Sequence, residues 1–571
     1  MFDKSTLQAS RKAAERRELE FDRMADKFGV EKKAYTTHSG LPIKSAYFPH
    51  DIEDLDPADI GAPGQFPFTR GNLSAQYQFM NWAMQPVMGY GLPEHTRERM
   101  DALAAQGMIG YFGQKFYNLV YDLVSHEGLD PDHPAARGRV GQCGMAVYSV
   151  ADMERLFNGM DLRKMNVVHI SYYQVIPALA QYIAYAERQG VEPHELRGNS
   201  MNWYHQSAYV GMSAFPADAG LKLAVELIGY CAKYMPRWNT TNIFCYGIEE
   251  AGGTAVQEIG LPLAFGVDLV SACEKAGIDP EVTLSRIGFQ VSQANDFFEE
   301  VCKVRALRRV WATTMRERFG VEKPNALNVR IHTHTSGACL TAQQPIVNLI
   351  RTTLHGFGAA LAGTQAMEVS GYDEALSIPS EESATLALRV QQVIQEETNI
   401  TAVSDPLAGS YYVESLTDQM VKAAQDILAD VEEEGGYINA QLSGWIRRQV
   451  EGSAENWRRM VDKGDRRIVG LNCYELDEEE DHQVFEVDEE VERVAIERVK
   501  EHRATRDADR FKKAMREFEQ AADRLAGQSV TDMGDWQLME AAVEAARADA
   551  TTGEMMGVLK KAFGWVAPHE Y

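Results

Sequence analysis

The sequence predicts an α/β fold: a (β/α)8 TIM barrel with an N-terminal extended arm and a C-terminal helical linker region. Three observations predict it. Between residues 85 and 380 short apolar runs alternate with amphipathic helical stretches, the pattern of parallel strands joined by helical crossovers. Eight such runs over roughly 300 residues suit a closed barrel better than an open sheet. After Ser380 the strand-like runs stop and only helical patterns follow.

Taken in order, Ser5–Phe28 reads as a charged helix whose apolar positions are Leu7, Ala14, Leu19, Phe21 and Met24. Gly29 to Gly71, rich in Pro, Gly and Asp, reads as an extended wrapping segment, so residues 1–71 form the arm. The barrel is expected over 72–400. Its candidate strands are Val87–Tyr90, Lys115–Asp122, Met165–Tyr172, Asn199–Trp203, Thr240–Tyr246, Leu284–Val291, Asn328–His334 and Thr364–Val369. Helices are expected between them at Val175–Gln189, Ala219–Tyr234, Ala255–Lys275, Asn295–Phe319 and Ala342–Ala362, then at Glu381–Thr398. The region 401–571 continues with helices at Glu414–Glu434, Ala495–Gly527 and Trp536–Phe563. The acidic run Leu476–Val491 reads as a solvated connector.

The totals narrow the function. Hydrophobic content of 45% and charged content of 25% are those of a soluble globular protein. A net charge of −26 argues against nucleic acid or an anionic membrane as partner, while a phosphate-bearing ligand needs only a local basic patch. Seven scattered cysteines without a CxxC point to free thiols in a reducing compartment. The N-terminus has no apolar core, and no run nears the ~20 apolar residues of a membrane span, so a cytoplasmic protein is expected.

The chemistry-bearing stretches end strands. Thr240–Gly253 is a β-branched, apolar run that closes on Glu249, Glu250 and two glycines. Acids at a strand end are where barrel enzymes place functional groups; a solvated helix start is the plainer reading. His332 and His334 lie two apart on a strand, so both rings face one way. That suits a metal pair or two imidazoles that hydrogen-bond a ligand. No later histidine ends a strand, which favours the second reading. His355–Gly363 matches no phosphate-loop spacing and reads as close helix packing. Ser370–Ser380 repeats the acidic strand end with Asp373 and Glu374, and Asp405–Thr417 runs from a turn into a helix start.

Several stretches together resemble the methylmalonyl-CoA mutase family: GQFPFTRG (64–71), GLDPDHP (128–134), FCYGIEEAGG (244–253), NDFFEEVCKVRALRRVWA (295–312), HTHTSGACLT (332–341), SGYDEALSIPS (370–380) and DPLAGSYYVE (405–414). The resemblance runs in order from about residue 30 to the end. It implies a barrel, a helical linker and adenosylcobalamin-dependent radical chemistry. The family's cobalamin domain carries DxHxxG, which these residues lack. The resemblance therefore implies a large subunit that works in a homo- or hetero-oligomer with a separate small subunit, whose histidine ligates cobalt. By resemblance Glu250 and Glu374 hold the adenosyl ribose, Gly89 faces the corrin and Gln365 joins the cofactor set.

The substrate side departs from the family. Two phosphate-directed arginines become Met80 and Gln85, and the aromatic wedge becomes Val87. TxQND becomes NSMNW (199–203), and the carboxylate-pairing arginine falls near Gly211. The histidine of GYHxxEAG is Gly247, the glutamine of HxQTSG is His334, a lysine becomes Asn325, and third-strand hydroxyls become Val168 and Ile170. Met and Gln cannot replace a guanidinium–phosphate bond. A small-molecule substrate other than methylmalonyl-CoA follows, and the same losses count against a CoA thioester of any kind. The resemblance and its departures together mark His334, His332 and Tyr77 as catalytic. They mark Gln85, Asn202, Trp203, His205, Tyr246 and Arg286 as substrate contacts, with no metal site. A non-catalytic scaffold subunit and a metal-dependent barrel hydrolase are the alternatives.

Overall fold

The computed structural model describes residues 1–571 apart from 30, 32–33, 109, 111–112, 203, 205–212, 477–484 and 568–571. Eight strands form a ring. They are β1 (Ala83–Met84 and Val87–Met88), β2 (Lys115–Val120), β3 (Met165–Ile170), β4 (Gly198–Ser200), β5 (Trp238–Asn239 and Thr241–Phe244), β6 (Ile287–Gln293), β7 (Arg330–Thr335) and β8 (Ala366–Glu368). All neighbours pair in parallel. The ring consists of two five-stranded sheets. The first half of β1 pairs with β8 and its second half with β2. Likewise the first half of β5 pairs with β4 and its second half with β6. Each broken strand carries the chain from one sheet to the other, which closes the barrel.

All eight expected strands are present. Sequence patterning missed the first halves of β1 and β5, because two residues on one side of a kink carry no readable alternation. Gly89 ends β1 under steric constraint: a Cβ there would lie 2.2 Å from the Val120 carbonyl oxygen.

Among the described residues eight helices of at least two turns follow the strands: α2 (Pro93–Ala105), α3 (Val150–Phe157), α4 (Val175–Arg188), α5 (Ala217–Tyr234), α6 (Gln257–Lys275), α7 (Phe297–Phe319), α8 (Val347–Ala362) and α9 (Glu381–Glu397), with α1 (Lys4–Phe28) near the N-terminus. Helix α8 begins five residues later than expected, after the turn at Pro345, and ends on Gly363 with left-handed φ. His355–Gly363 is thus helix interior and its cap. Helices α6 and α7 meet where Trp311 packs over Gly266, a fully buried aromatic contributing about 3 kcal/mol or more.

Beneath β6 lies a buried ion cluster. Lys303 Nζ is 2.6 Å from both Glu258 and Glu300 and donates to Ser292 Oγ at 2.7 Å. Arg305, also buried, pairs with Asp405 and Glu414 and so fastens α10 (Tyr411–Glu433) to the barrel. The DPLAGS turn is structural in this way. The charged stretch expected as one helix at Ala495–Gly527 is two, α12 (Glu490–Thr505) and α13 (Ala508–Gly527), after α11 (Trp445–Asp462). Arg506 is extended there and Asp507 caps the second helix. The tail is likewise two helices, α14 (Gln537–Arg547) and α15 (Thr552–Phe563), with Thr551 and Glu554 forming a capping box. The GLDPDHP turn is anchored here: Asp130 accepts from Gly553 N–H at 2.8 Å and Thr551 Oγ at 2.5 Å, and pairs with Arg503. No helix among the described residues is long and apolar enough to cross a membrane.

Candidate active site

The strands of a parallel barrel start at one end and finish at the other, so residues at their starts and ends form two separate mouths. The starts carry Arg237 before β5, Arg286 before β6 and Arg330 at the head of β7. These three arginines line a cavity of about 300 Å³ inside the barrel, with Asn166, Asn199, Asn239, Asn242 and, deeper, Gln85 and His332. Among the described residues no carboxylate lines it. In a chain of net charge −26 that is a local reversal of sign. The Arg286 guanidinium donates to the Pro236 carbonyl and has no carboxylate partner among the described residues. Burial pulls its pKa down. Arg330 is held by the Ser285 carbonyl and Asn325 Oδ1. A larger cleft, about 730 Å³, lies under α1 and is lined by Arg17, Phe21, Lys44 and Asp51 but by no barrel residue.

The two inner walls differ. On β2 to β5 Val168, Ile170, Met201 and Phe244 form one apolar cluster, with Phe116, Val120 and Tyr246 against it. The opposite wall is polar. His332 Nδ1 lies 3.0 Å from Gln85 Oε1. One layer nearer the strand ends, His334 pairs in register with Glu368. Glu368 Oε2 is 3.5 Å from His334 Nδ1 and 3.9 Å from His332 Nε2, while Oε1 accepts from Val87 N–H at 2.7 Å. Tyr246 stacks on His334, rings 4.3 Å apart and 5° from parallel. Burial lowers His332 to about 4 and also lowers His334, where Glu368 opposes it. Burial raises Glu368, against His334 and the Val87 N–H.

Acids crowd the strand ends. Glu250 Oε1 accepts from Gly337 N–H at 2.8 Å, Ala338 N–H at 3.1 Å and Ser336 Oγ at 3.1 Å, which pins the loop after β7. Glu374 has carboxylates for neighbours: burial first, then Glu368, Glu250 and Asp373 push it up to about 8. Among the described residues no group of three His, Cys, Asp or Glu is arranged to hold a metal ion.

The structure thus brings together Gln85, His332, His334 and Tyr246, with Arg286 at the opposite mouth. Three expected site residues are corrected. Tyr77 packs edge-on against Trp82 in a separate core cluster, and its hydroxyl donates to the Thr364 carbonyl at 2.8 Å. Asn202 is buried and its amide reaches the Ala224 carbonyl on α5, away from the lumen. Gln365 precedes β8, at the end opposite Glu250 and Glu374. Its side chain is spent on Asn72, Ile331 N–H and the Gly363 carbonyl, so it is not in the acid group. Trp203 and His205 lie outside the described residues. Glu368 was missed, though a lone acid inside the apolar run Ala366–Val369 is a readable signal.

The pattern of one family matches residues 36–565, under the description methylmalonyl-CoA mutase. The chain belongs to the methylmalonyl-CoA mutase family. It is 35% identical to methylmalonyl-CoA mutase of Rhizobium meliloti over 92% of this chain and 72% of that one. It is 34% identical to the 2-hydroxyisobutanoyl-CoA mutase large subunit of Aquincola tertiaricarbonis over 98% of this chain and 97% of that one. Identity to the Escherichia coli methylmalonyl-CoA mutase is 35% over 94% and 72%. Membership assigns the chain to the mutases, and so to the isomerases.

Proposed function

We propose that this chain is the large, substrate-binding subunit of an adenosylcobalamin-dependent carbon-skeleton mutase, acting on a CoA thioester other than methylmalonyl-CoA. The carrying observation is the polarity of the lumen: among the described residues, three arginines and no carboxylate at one mouth, acids and imidazoles at the other. A ligand with an anionic tail and a compact reacting head fits that axis. This favours a thioester despite the loss of two arginines to Met80 and Gln85, because Arg237, Arg286 and Arg330 supply guanidinium groups from other strands.

At the acid end, Glu250 Oε2 and Glu374 have no basic partner among the described residues and suit the hydroxyls of an adenosyl ribose as donors. When bound, adenosylcobalamin supplies an organic radical by homolysis of its cobalt–carbon bond. This chain's residues do the rest. The arginine mouth holds the tail, the Phe244–Met201 wall excludes water from the head, and the Tyr246–His334 stack fixes the imidazole. A relative named as a large subunit, matched over 97% of its length, supports a separate small subunit carrying the cobalt-ligating histidine.

The test combines the chain with a small cobalamin-binding subunit, adenosylcobalamin and a panel of acyl-CoA thioesters, and reads cob(II)alamin by EPR. A signal that appears only with a thioester is expected. Silence with every thioester would leave the chain a scaffold.

A further inference from the structure

Three buried polar atoms at the inner end of the lumen have no hydrogen-bond partner among the described residues: Glu368 Oε2, His334 Nδ1 and His332 Nε2. They face one another, with Oε2 within 3.5 Å of the first ring nitrogen and 3.9 Å of the second. Leaving such atoms unmet costs about 1–3 kcal/mol each, so water fills this corner in the free protein and a polar group of the ligand must replace it on binding. Their neighbours fix what each atom offers. Glu368 is held in place through its other oxygen by Val87 N–H. With Gln85 Oε1 accepting at 3.0 Å, His332 Nδ1 carries the ring proton and Nε2 is a bare acceptor. His334 Nδ1–H faces the carboxylate as a donor, and its ring is fixed by Tyr246.

The class of group follows. A plain alkyl head leaves all three atoms unmet. A carboxylated head sets a second negative charge against Glu368, whose only charged neighbour of opposite sign among the described residues would be a protonated His334. A hydroxyl meets two of the three: it donates to Glu368 Oε2 and accepts from His334 Nδ1–H, leaving His332 Nε2 to a water or a second donor. We propose that the acyl group accepted by this mutase carries a hydroxyl, and that Glu368 selects it and turns carboxylated acyl groups away. This deepens the thioester reading above and rests on it.

The test is calorimetric titration of the full chain without cobalamin, so that nothing turns over. The probes are free CoA and its 2-hydroxyisobutanoyl, isobutanoyl and methylmalonyl thioesters. The hydroxylated thioester should bind about tenfold tighter than the isobutanoyl one and about 100-fold tighter than the methylmalonyl one. Glu368→Gln, which removes the charge, should recover methylmalonyl binding about tenfold or more. Glu368→Leu should abolish the hydroxyl preference. Free CoA, which lacks the head, should bind both variants as it binds wild type and so reports their folding. If wild type binds the three thioesters alike, or prefers the carboxylated one, the hydroxyl assignment is overturned while the lumen keeps its thioester. If neither CoA nor any thioester binds, the lumen assignment itself fails.

Discussion

Replacing Arg286 by Met isolates the basic mouth from the rest of the barrel. Met keeps the apolar stem and removes the guanidinium. In the fold, the guanidinium donates to the Pro236 carbonyl and pairs with no carboxylate among the described residues. Losing one such bond costs about 1 kcal/mol, and part of that returns because a partly buried charge no longer needs solvation. The urea midpoint should therefore barely move. Ligand binding should move far more. A charge-assisted bond to a phosphate contributes about 1.5–3 kcal/mol, equivalent to about 10- to 150-fold in Kd. Calorimetry with free CoA at low and high salt reads both the loss and its electrostatic origin, since salt should shrink the gap between variant and wild type. A variant that folds normally and binds CoA as wild type does, at either salt concentration, would refute the assignment of this mouth to the phosphates.

Other outcomes follow from the same geometry. Gly89→Ala drives a Cβ into the Val120 carbonyl and should lower stability by about 3 kcal/mol or more in urea unfolding; a neutral result would mean that β1 and β2 can part easily. Lys303→Met strands Glu258 and Glu300 without a cation and should cost about 3–5 kcal/mol, with Glu258→Gln added to the same chain restoring part of it. Glu374, held near 8 against an ordinary 4.5, binds its proton more tightly folded than unfolded. Its contribution is thus complete below about pH 4.5 and is lost as pH rises through 8. Glu374→Gln should flatten that part of the stability–pH curve and be the more stable protein at pH 9. An unchanged slope would place the carboxyl in solvent.

Much of the barrel was legible because fully buried parallel strands read as short apolar runs, and each was bounded by helix periodicity or by Gly and Pro. The helix break at Arg506 was not, since a charged run without Pro or Gly continues any helical pattern. The break before α15 carried a usable signal in Thr551-Thr-Gly-Glu554, a capping box. For the site, the acidic strand ends were legible, and within a strand only the closely spaced histidines were. His332 and His334 stood out as a pair, whereas Glu368 acquires meaning only through register, which sets it beside His334. Arg237, Arg286 and Arg330 are far apart in sequence, and only closure of the ring makes them one patch. Tyr77 and Gln365 misled for the converse reason: polar groups near functional stretches were already satisfied by backbone atoms.

The broken strands have a mechanical consequence. They stand at positions one and five of an eight-membered ring, at opposite points of its circumference. The hydrogen-bond ladder is interrupted at both, so each half-cylinder completes its own ladder; the chain at Gln85–Pro86 and at Thr240, and contacts such as Val87 N–H on Glu368, join the two. One half supplies the acid–imidazole wall and the other most of the oily wall. A molecule lying on the axis therefore touches both halves at once and acts as a staple across two seams. Hydrogen exchange should show it as protection gained together along β1 and β5.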